Sequence, residues 1–380
     1  MTERRRGRRH HHGRTSGVGK PTGNRSTGLC AMIVAAVCAL GGCSAVEYYW
    51  QGVAGQADLL GRSRPIAEVI ATTSDPALKA RLVRVQAIRA FASRELGLPD
   101  NRSYTSYSDL GRPFVVWNVF AAPEFSLVPR QWCFPVAGCV AYRGYFAESD
   151  ARAEAARLAA AGDDVHVGGV PAYSTLGYFA DPVLSSFIRY REAELVRLVF
   201  HELAHQVVYV TDDSSFNESF ATAVEEEGVA RWIAAQGDSR DAAEVAALVA
   251  DVARGQRLRA DFRALMATTR ARLTALYAQT ASDDAKRAGK AAVFAEMRAE
   301  IARQKSASDG ATAFDRWLAA GANNAGIVAA SLYADRIPQF KSLLEAEDRD
   351  LPRFYVRVKA LAALPRAGRD LALSQFAARR

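Results

Sequence analysis

The chain has 380 residues, 49% hydrophobic and 24% charged, a composition that suits a globular protein with a sizeable core and argues against a disordered or fibrous one. Its net charge of +8 is concentrated at one end: residues 1–28 carry eight basic side chains against a single acid, Glu3. The remainder is left near +1, about neutral, so no basic face is available to recruit nucleic acid, and no nucleic-acid partner is expected.

The basic segment precedes an apolar run, Leu29–Leu40, of about 12 residues. That is too short for a stable bilayer span and suits the hydrophobic part of a signal peptide. It ends in Leu40-Gly41-Gly42-Cys43, small residues before a cysteine, a pattern that resembles the bacterial lipobox. The expected division is a signal peptide over 1–42 and a mature chain over 43–380 tethered through lipid on Cys43. A short buried apolar strand is the alternative. By analogy with known sorting rules, Ser44 favours the outer membrane, with the protein facing the periplasm. His10, His11 and His12, with Cys30 and Cys38, fall in the discarded segment. The two cysteines left, Cys133 and Cys139, form a disulfide in an exported protein or remain as buried free thiols.

From Tyr48 to about Leu96 the sequence reads as helical, with apolar residues at three- and four-residue steps (Ile66, Val69, Ile70, Leu82, Val85, Ile88). Pro99-Asp100-Asn101 ends this part. Strands are expected over Pro113–Phe120, Cys139–Phe146 and Val165–Val170, with a helix over Ser149–Ala161 capped by Ser149 between the last two. A helix over about Arg191–Val208 and another over about Asn217–Ala235 follow, joined by a short polar link. The rest is rich in Ala, Arg and Leu and reads as helical, with breaks near Gly321–Asn324 and at Pro338. The expected class is α+β: a small mixed sheet packed on a mostly helical remainder, with no internal repeat.

Phe200-His201-Glu202-Leu203-Ala204-His205 carries the chemistry. On a helix, residues i and i+4 share a face, so both imidazoles can meet one Zn²⁺ ion. Glu202, one residue on, is placed to act as general base toward water activated by the metal. Apart from His10–His12 the chain has only His166, His201 and His205, and two of these three stand at ligand spacing. A catalytic zinc site needs a third protein ligand, and Glu218, thirteen residues past His205, is the candidate. Ser215-x-x-Glu218 also fits a capping box, in which Glu218 only satisfies a helix amide. Glu225 either hydrogen-bonds a ligand imidazole or belongs to a solvated face of the run Glu225-Glu226-Glu227.

These residues carry a resemblance. His201–Gln206 (HELAHQ) followed by Asn217–Ala221 (NESFA) resembles the gluzincin-type zinc peptidases. The chain also resembles a family of bacterial lipoproteins described as predicted aminopeptidases, through residues 48–66, 117–146, 168–183 and 323–340, nearly the whole mature length. The resemblance implies a zincin-like fold and a zinc-dependent peptidase, an aminopeptidase by the family's label, acting on peptide substrates. It carries the ligand roles to His201, His205 and Glu218 and the base to Glu202. An endopeptidase, or a non-catalytic envelope lipoprotein with a structural metal site, remains the alternative. The Gly168–Gly177 segment is either an edge strand that pairs with substrate or an ordinary hairpin turn. Tyr173, Tyr178 and Tyr333 are candidates to stabilise an oxyanion. An aminopeptidase must also hold its substrate's ammonium, and Glu124 is the carboxylate named for it, with a surface ion pair as the alternative.

Overall fold

The computed structural model describes residues 46–134, 138–237, 240–306, 313–319, 321–331 and 336–377. The signal segment 1–42, Cys43 and Tyr333 lie outside the described residues. The chain divides into two units, residues 1–51 and 52–380. In the first, residues 46–51 are described and are helical.

The second unit opens with helix α1 (52–61). Strand β1 (Arg64–Pro65) and helices α2 (Ile66–Thr72) and α3 (Pro76–Leu96) follow. Next come β2 (Ser106–Ser108), β3 (Val116–Pro123), β4 (Trp132–Phe134), β5 (Gly138–Val140), β6 (Arg143–Tyr145), α4 (Glu148–Ala160), β7 (Asp163–Val170) and β8 (Val183–Leu184). The rest is helical: α5 (Glu192–Ala204), α6 (Ser214–Ala234), α7 (Ala242–Tyr277), α8 (Asp283–Ser306), α9 (Ala313–Ala319), α10 (Asn324–Ser331), α11 (Ile337–Ala346), α12 (Leu351–Ala362) and α13 (Arg366–Ala377).

The architecture is α+β, as the sequence pattern implies, but its strands form three small sheets and not one. The antiparallel sheet β6-β3-β7 is the largest, with Trp117 opposite Gly169 and Phe120 opposite His166. The bare Gly169 lets the Phe114 ring lie where a Cβ would stand. A second, mixed sheet joins β1, β2 and β8. The third is the hairpin β4-β5, in which Cys133 faces Cys139 with the sulfurs at bonding distance. The expected strand Cys139–Phe146 is two strands, because Gly138–Val140 pairs with β4 while Arg143–Tyr145 turns to pair with β3. Helix α4 starts at Glu148 and not at a Ser149 cap. Ala147 holds the cap position, the Ser149 hydroxyl donates to Asp150 at 3.1 Å, and the first-turn acids Glu148 and Asp150 favour the helix dipole.

Two apolar cores organise the helices. The first packs α3, α5, α6, α11 and α12 through residues such as Leu82, Ile88, Phe200, Phe220, Phe340 and Phe354. The second packs α7, α8 and α10 around Leu273, Met297 and Ile327. The 36-residue α7 serves both, with Leu248 in the first core and Met266 and Leu273 in the second. Among the described residues no helix is long and apolar enough to cross a membrane.

Candidate metal centre

Helix α5 forms because its apolar residues, Leu195, Val196, Leu198, Val199, Phe200 and Leu203, bury one broad face, while Glu192 and Glu194 sit favourably in the first turn. It ends at Ala204, shorter than the sequence expectation, so His201 stands in its last turn and His205 at its C-cap. Helix α6 begins at Ser214, earlier than expected, and its cap is Asp213, whose carboxylate accepts from the Phe216 amide at 3.2 Å. Glu218 is therefore in the second turn and is not part of a capping box. Asn217 supplies the local aim: its side chain accepts from Val210 N and donates to Val210 O, both at 2.8 Å, and so pins the link between the helices. The two helices approach closely at Gly228, where a Cβ would meet Leu96 and the Phe200 ring at 2.7 Å.

This packing brings His201, His205 and Glu218 together, with one ligand atom from each within 4.8 Å of the others. His201 Nε2 lies 3.2 Å from His205 Nε2 and 3.2 Å from Glu218 Oε2, and His205 Nε2 lies 3.7 Å from Glu218 Oε1. Donors about 2.0–2.1 Å from a tetrahedral zinc stand about 3.3 Å from one another, so this triangle fits such an ion. His201 Nδ1 meets Glu225 Oε2 at 2.8 Å. An N–H donating there leaves the Nε2 lone pair directed toward the other two donors.

Glu225 is 2% exposed and does not belong to a solvated face. Arg197 Nη1 donates to it at 3.0 Å and, through Nε, to Glu194 at 2.9 Å; Arg259 of α7 donates to Glu194 at 2.7 Å. A chain of alternating charge thus runs from α7 through α5 to the His201 ring. Burial disfavours an imidazolium at His201, but the bonds to Glu218 and Glu225 outweigh it and raise its pKa to about 10. The same site thus draws positive charge. Burial, with the neighbouring His201, pushes His205 down to about 4, keeping its lone pair free at neutral pH. Burial lifts Glu202 to about 7, opposed by His201 and assisted by Glu218 and Asp181.

A protein-family model described as "Putative aminopeptidase" matches residues 47–373. The chain belongs to that family. No curated protein and no solved structure matches it.

In this member of the aminopeptidase family the other sequence candidates fall elsewhere. Glu124 is committed to Arg287, which donates to its two oxygens at 2.7 and 3.1 Å, an ion pair at the surface. The Tyr173 hydroxyl donates to Gln56. Tyr178 stands on a loop, 74% exposed. Of the Gly168–Gly177 segment only Gly168–Val170 is strand. It forms the end of edge strand β7, and the chain then leaves the sheet into a loop containing Leu176 (φ 57) and Gly177 (φ 83) rather than a hairpin.

Arg197, Glu194 and Arg259 were not among the sequence candidates, although Arg197 stands four residues before His201 and so shares its helix face. Also unanticipated is a second set of contacts at the end of α5. Gln206 accepts from Asn101 at 2.7 Å and donates to Ser103 at 3.2 Å and Asp181 at 3.4 Å, tying two loops to the helix that carries the histidines.

Proposed function

We propose that the protein is a zinc-dependent peptidase of the aminopeptidase kind, with His201, His205 and Glu218 as metal ligands and Glu202 as general base. The observation that carries this reading is the triangle of two imidazole nitrogens and one carboxylate, spaced for a tetrahedral ion, with Glu202 one residue from the first ligand. Only three protein donors converge there among the described residues, which suits a catalytic site better than a closed structural one. Bound at these donors, zinc supplies Lewis acidity and makes water acidic enough to ionise near pH 7.

The chain's own residues do the rest. Glu225, braced by Arg197, orients the His201 ring. Glu202, with a pKa of about 7, can accept a proton at neutral pH and give it up again. It takes one proton from water as the oxygen bonds to the peptide carbon, and returns it to the nitrogen as the C–N bond breaks. The address proposed alongside is the bacterial envelope: a mature chain starting at Cys43, lipid-anchored, facing the periplasm from the outer membrane, with Cys133–Cys139 as the disulfide such a compartment allows.

The test is a pair of substitutions in zinc-loaded protein. Glu202→Gln is expected to keep one zinc per chain and lose peptide hydrolysis by about 10³-fold or more, while His201→Ala loses the metal itself. Hydrolysis retained in Glu202→Gln would sink the mechanism. Zinc retained in His201→Ala would sink the ligand set.

A further inference from the structure

The hairpin β4-β5 belongs to neither of the other two sheets, and each of its strands is three residues long. A two-stranded hairpin of that size is marginal on its own in water. The bond between Cys133 and Cys139, which face each other across the ladder, therefore carries much of its order. Cys133 is exposed, within reach of a thiol from solvent. The proposed hydrolysis uses none of these features.

The hairpin docks on the link between α5 and α6. Cys139 N donates to the Asp212 carboxylate. Gly138, beside it, has φ 71, and a Cβ there would run into the Asp212 carboxylate and stand 2.6 Å from Thr211 Cγ2. Asp212 is itself left-handed, φ 64, an uncommon conformation for a residue with a Cβ. It is held from two sides: its carboxylate accepts from the hairpin, and its carbonyl accepts from Arg366 Nη1 at 3.4 Å. Its neighbours in the link are the residues that aim α6. Asp213 caps that helix, Val210 exchanges two hydrogen bonds with Asn217, and Glu218 follows Asn217 directly. A shift at Asp212 therefore reaches the Glu218 carboxylate through a short run of fixed contacts.

We propose that the disulfide hairpin positions Glu218, so that the metal affinity of the centre depends on the oxidation state of Cys133 and Cys139. This rests on the ligand set of the peptidase reading and adds a control to it. Reduction by a dithiol breaks the S–S bond; each cysteine sulfur takes one hydrogen, and the reductant closes to its own disulfide. The loosened hairpin releases Asp212, the left-handed turn relaxes, and Glu218 is no longer held in the triangle with His201 and His205.

The test is the zinc affinity of the full chain, measured by competition with a chelator of known affinity. Cys133→Ser/Cys139→Ser is expected to bind zinc about tenfold more weakly than the oxidised wild type, the low end of the range for groups that orient a metal ligand. Gly138→Ala keeps both cysteines but drives a Cβ into Asp212, and should weaken zinc to a similar degree. Asp212→Ala should do the same, while Asp212→Asn, which keeps an acceptor for Cys139 N, should bind as the wild type does. A hairpin that only stabilises the fold predicts a lower melting temperature in the cysteine variant, with the zinc affinity and the visible spectrum of the cobalt-substituted protein unchanged; that result would overturn the proposal. In a Glu218→Ala background the cysteine substitutions should weaken binding no further, because their effect runs through Glu218. A second tenfold loss there would also overturn it. If Glu218→Ala binds zinc as tightly as the wild type, the ligand set and this inference fall together. If Glu218→Ala weakens zinc while the cysteine, Gly138 and Asp212 variants do not, the ligand set stands and the inference alone falls.

Discussion

At the residue scale the proposed metal site depends on groups outside its three donors. Glu225 is buried and Arg197 half-buried in the charge chain behind His201, and each neutralises the other. Truncating Glu225 frees the His201 ring to turn and leaves Arg197 with one carboxylate fewer. Glu225→Ala is therefore expected to weaken zinc binding by about 10–100-fold, the range for groups that orient a ligand imidazole, without altering the three donors. Competition against a chelator of known affinity reads this directly, and an unchanged affinity would show that the contact is incidental. His201, Glu202 and His205 were legible in the sequence as candidates because their spacing is that of neighbours on one helical face. Glu218 was legible only as a choice, since a helix start and a metal ligand write the same letters; the Asp213 cap removes the first, and the ligand role stays a proposal. Glu225 was undecidable, because three successive glutamates look solvated until the opposing helix is in place. The ties of Gln206 to Asn101, Ser103 and Asp181 left no trace in the sequence, since they join segments 25 to 105 positions apart.

At the element scale the position of α6 decides whether Glu218 meets the histidines. Its first turn is held by Asp213, 2% exposed, which caps the helix and accepts from Arg369 and Arg336 at 2.7–3.1 Å. Burial alone would raise this carboxyl; the bonds from Arg369 and Arg336 outweigh burial and hold it below its ordinary value. Because the folded pKa is the lower one, the stabilisation is fully present above the unfolded pKa of about 3.9 and fades as pH falls through the folded value. Asp213→Asn is expected to destabilise by about 3–5 kcal/mol at pH 7, mostly by stranding buried Arg369, and the gap to wild type should narrow below about pH 4. Urea unfolding at a series of pH values measures both. A gap independent of pH would mean that the Asp213 charge is not what the contacts from Arg369 and Arg336 supply, since asparagine caps a helix as well as aspartate. Long elements such as α3, α5 and α6 were readable because periodic apolar faces announce them. The sheet β1-β2-β8 was not: its strands are two or three residues long and lie more than forty positions apart, so pairing, not propensity, makes them strands. The edges of α5 and α6 moved for a related reason: the link between them, residues 205–213, is fixed by Asn217 of α6 bonding back to Val210.

At the scale of the whole molecule, the two apolar cores and the long α7 give a body whose surface charge nearly cancels once the basic segment of 1–28 is set aside. Such a body has little electrostatic attraction for an anionic lipid surface, where each basic residue near the membrane contributes about 1 kcal/mol. The proposed address therefore places membrane attachment on the lipid at Cys43. A lipid chain contributes about 0.8 kcal/mol per buried CH₂, so a diacylated cysteine dominates any contribution from so neutral a protein. Cys43→Ser expressed in a Gram-negative host is then expected to do one of two things: appear as an uncut precursor retaining residues 1–42, or shift to the soluble fraction. In wild type the protein should sediment with outer-membrane vesicles and incorporate labelled palmitate. Fractionation with palmitate labelling separates these outcomes. A Cys43→Ser protein of mature size that stays on the membrane without label would place the attachment elsewhere, and the cleavage site with it, while leaving the metal site and its chemistry untouched.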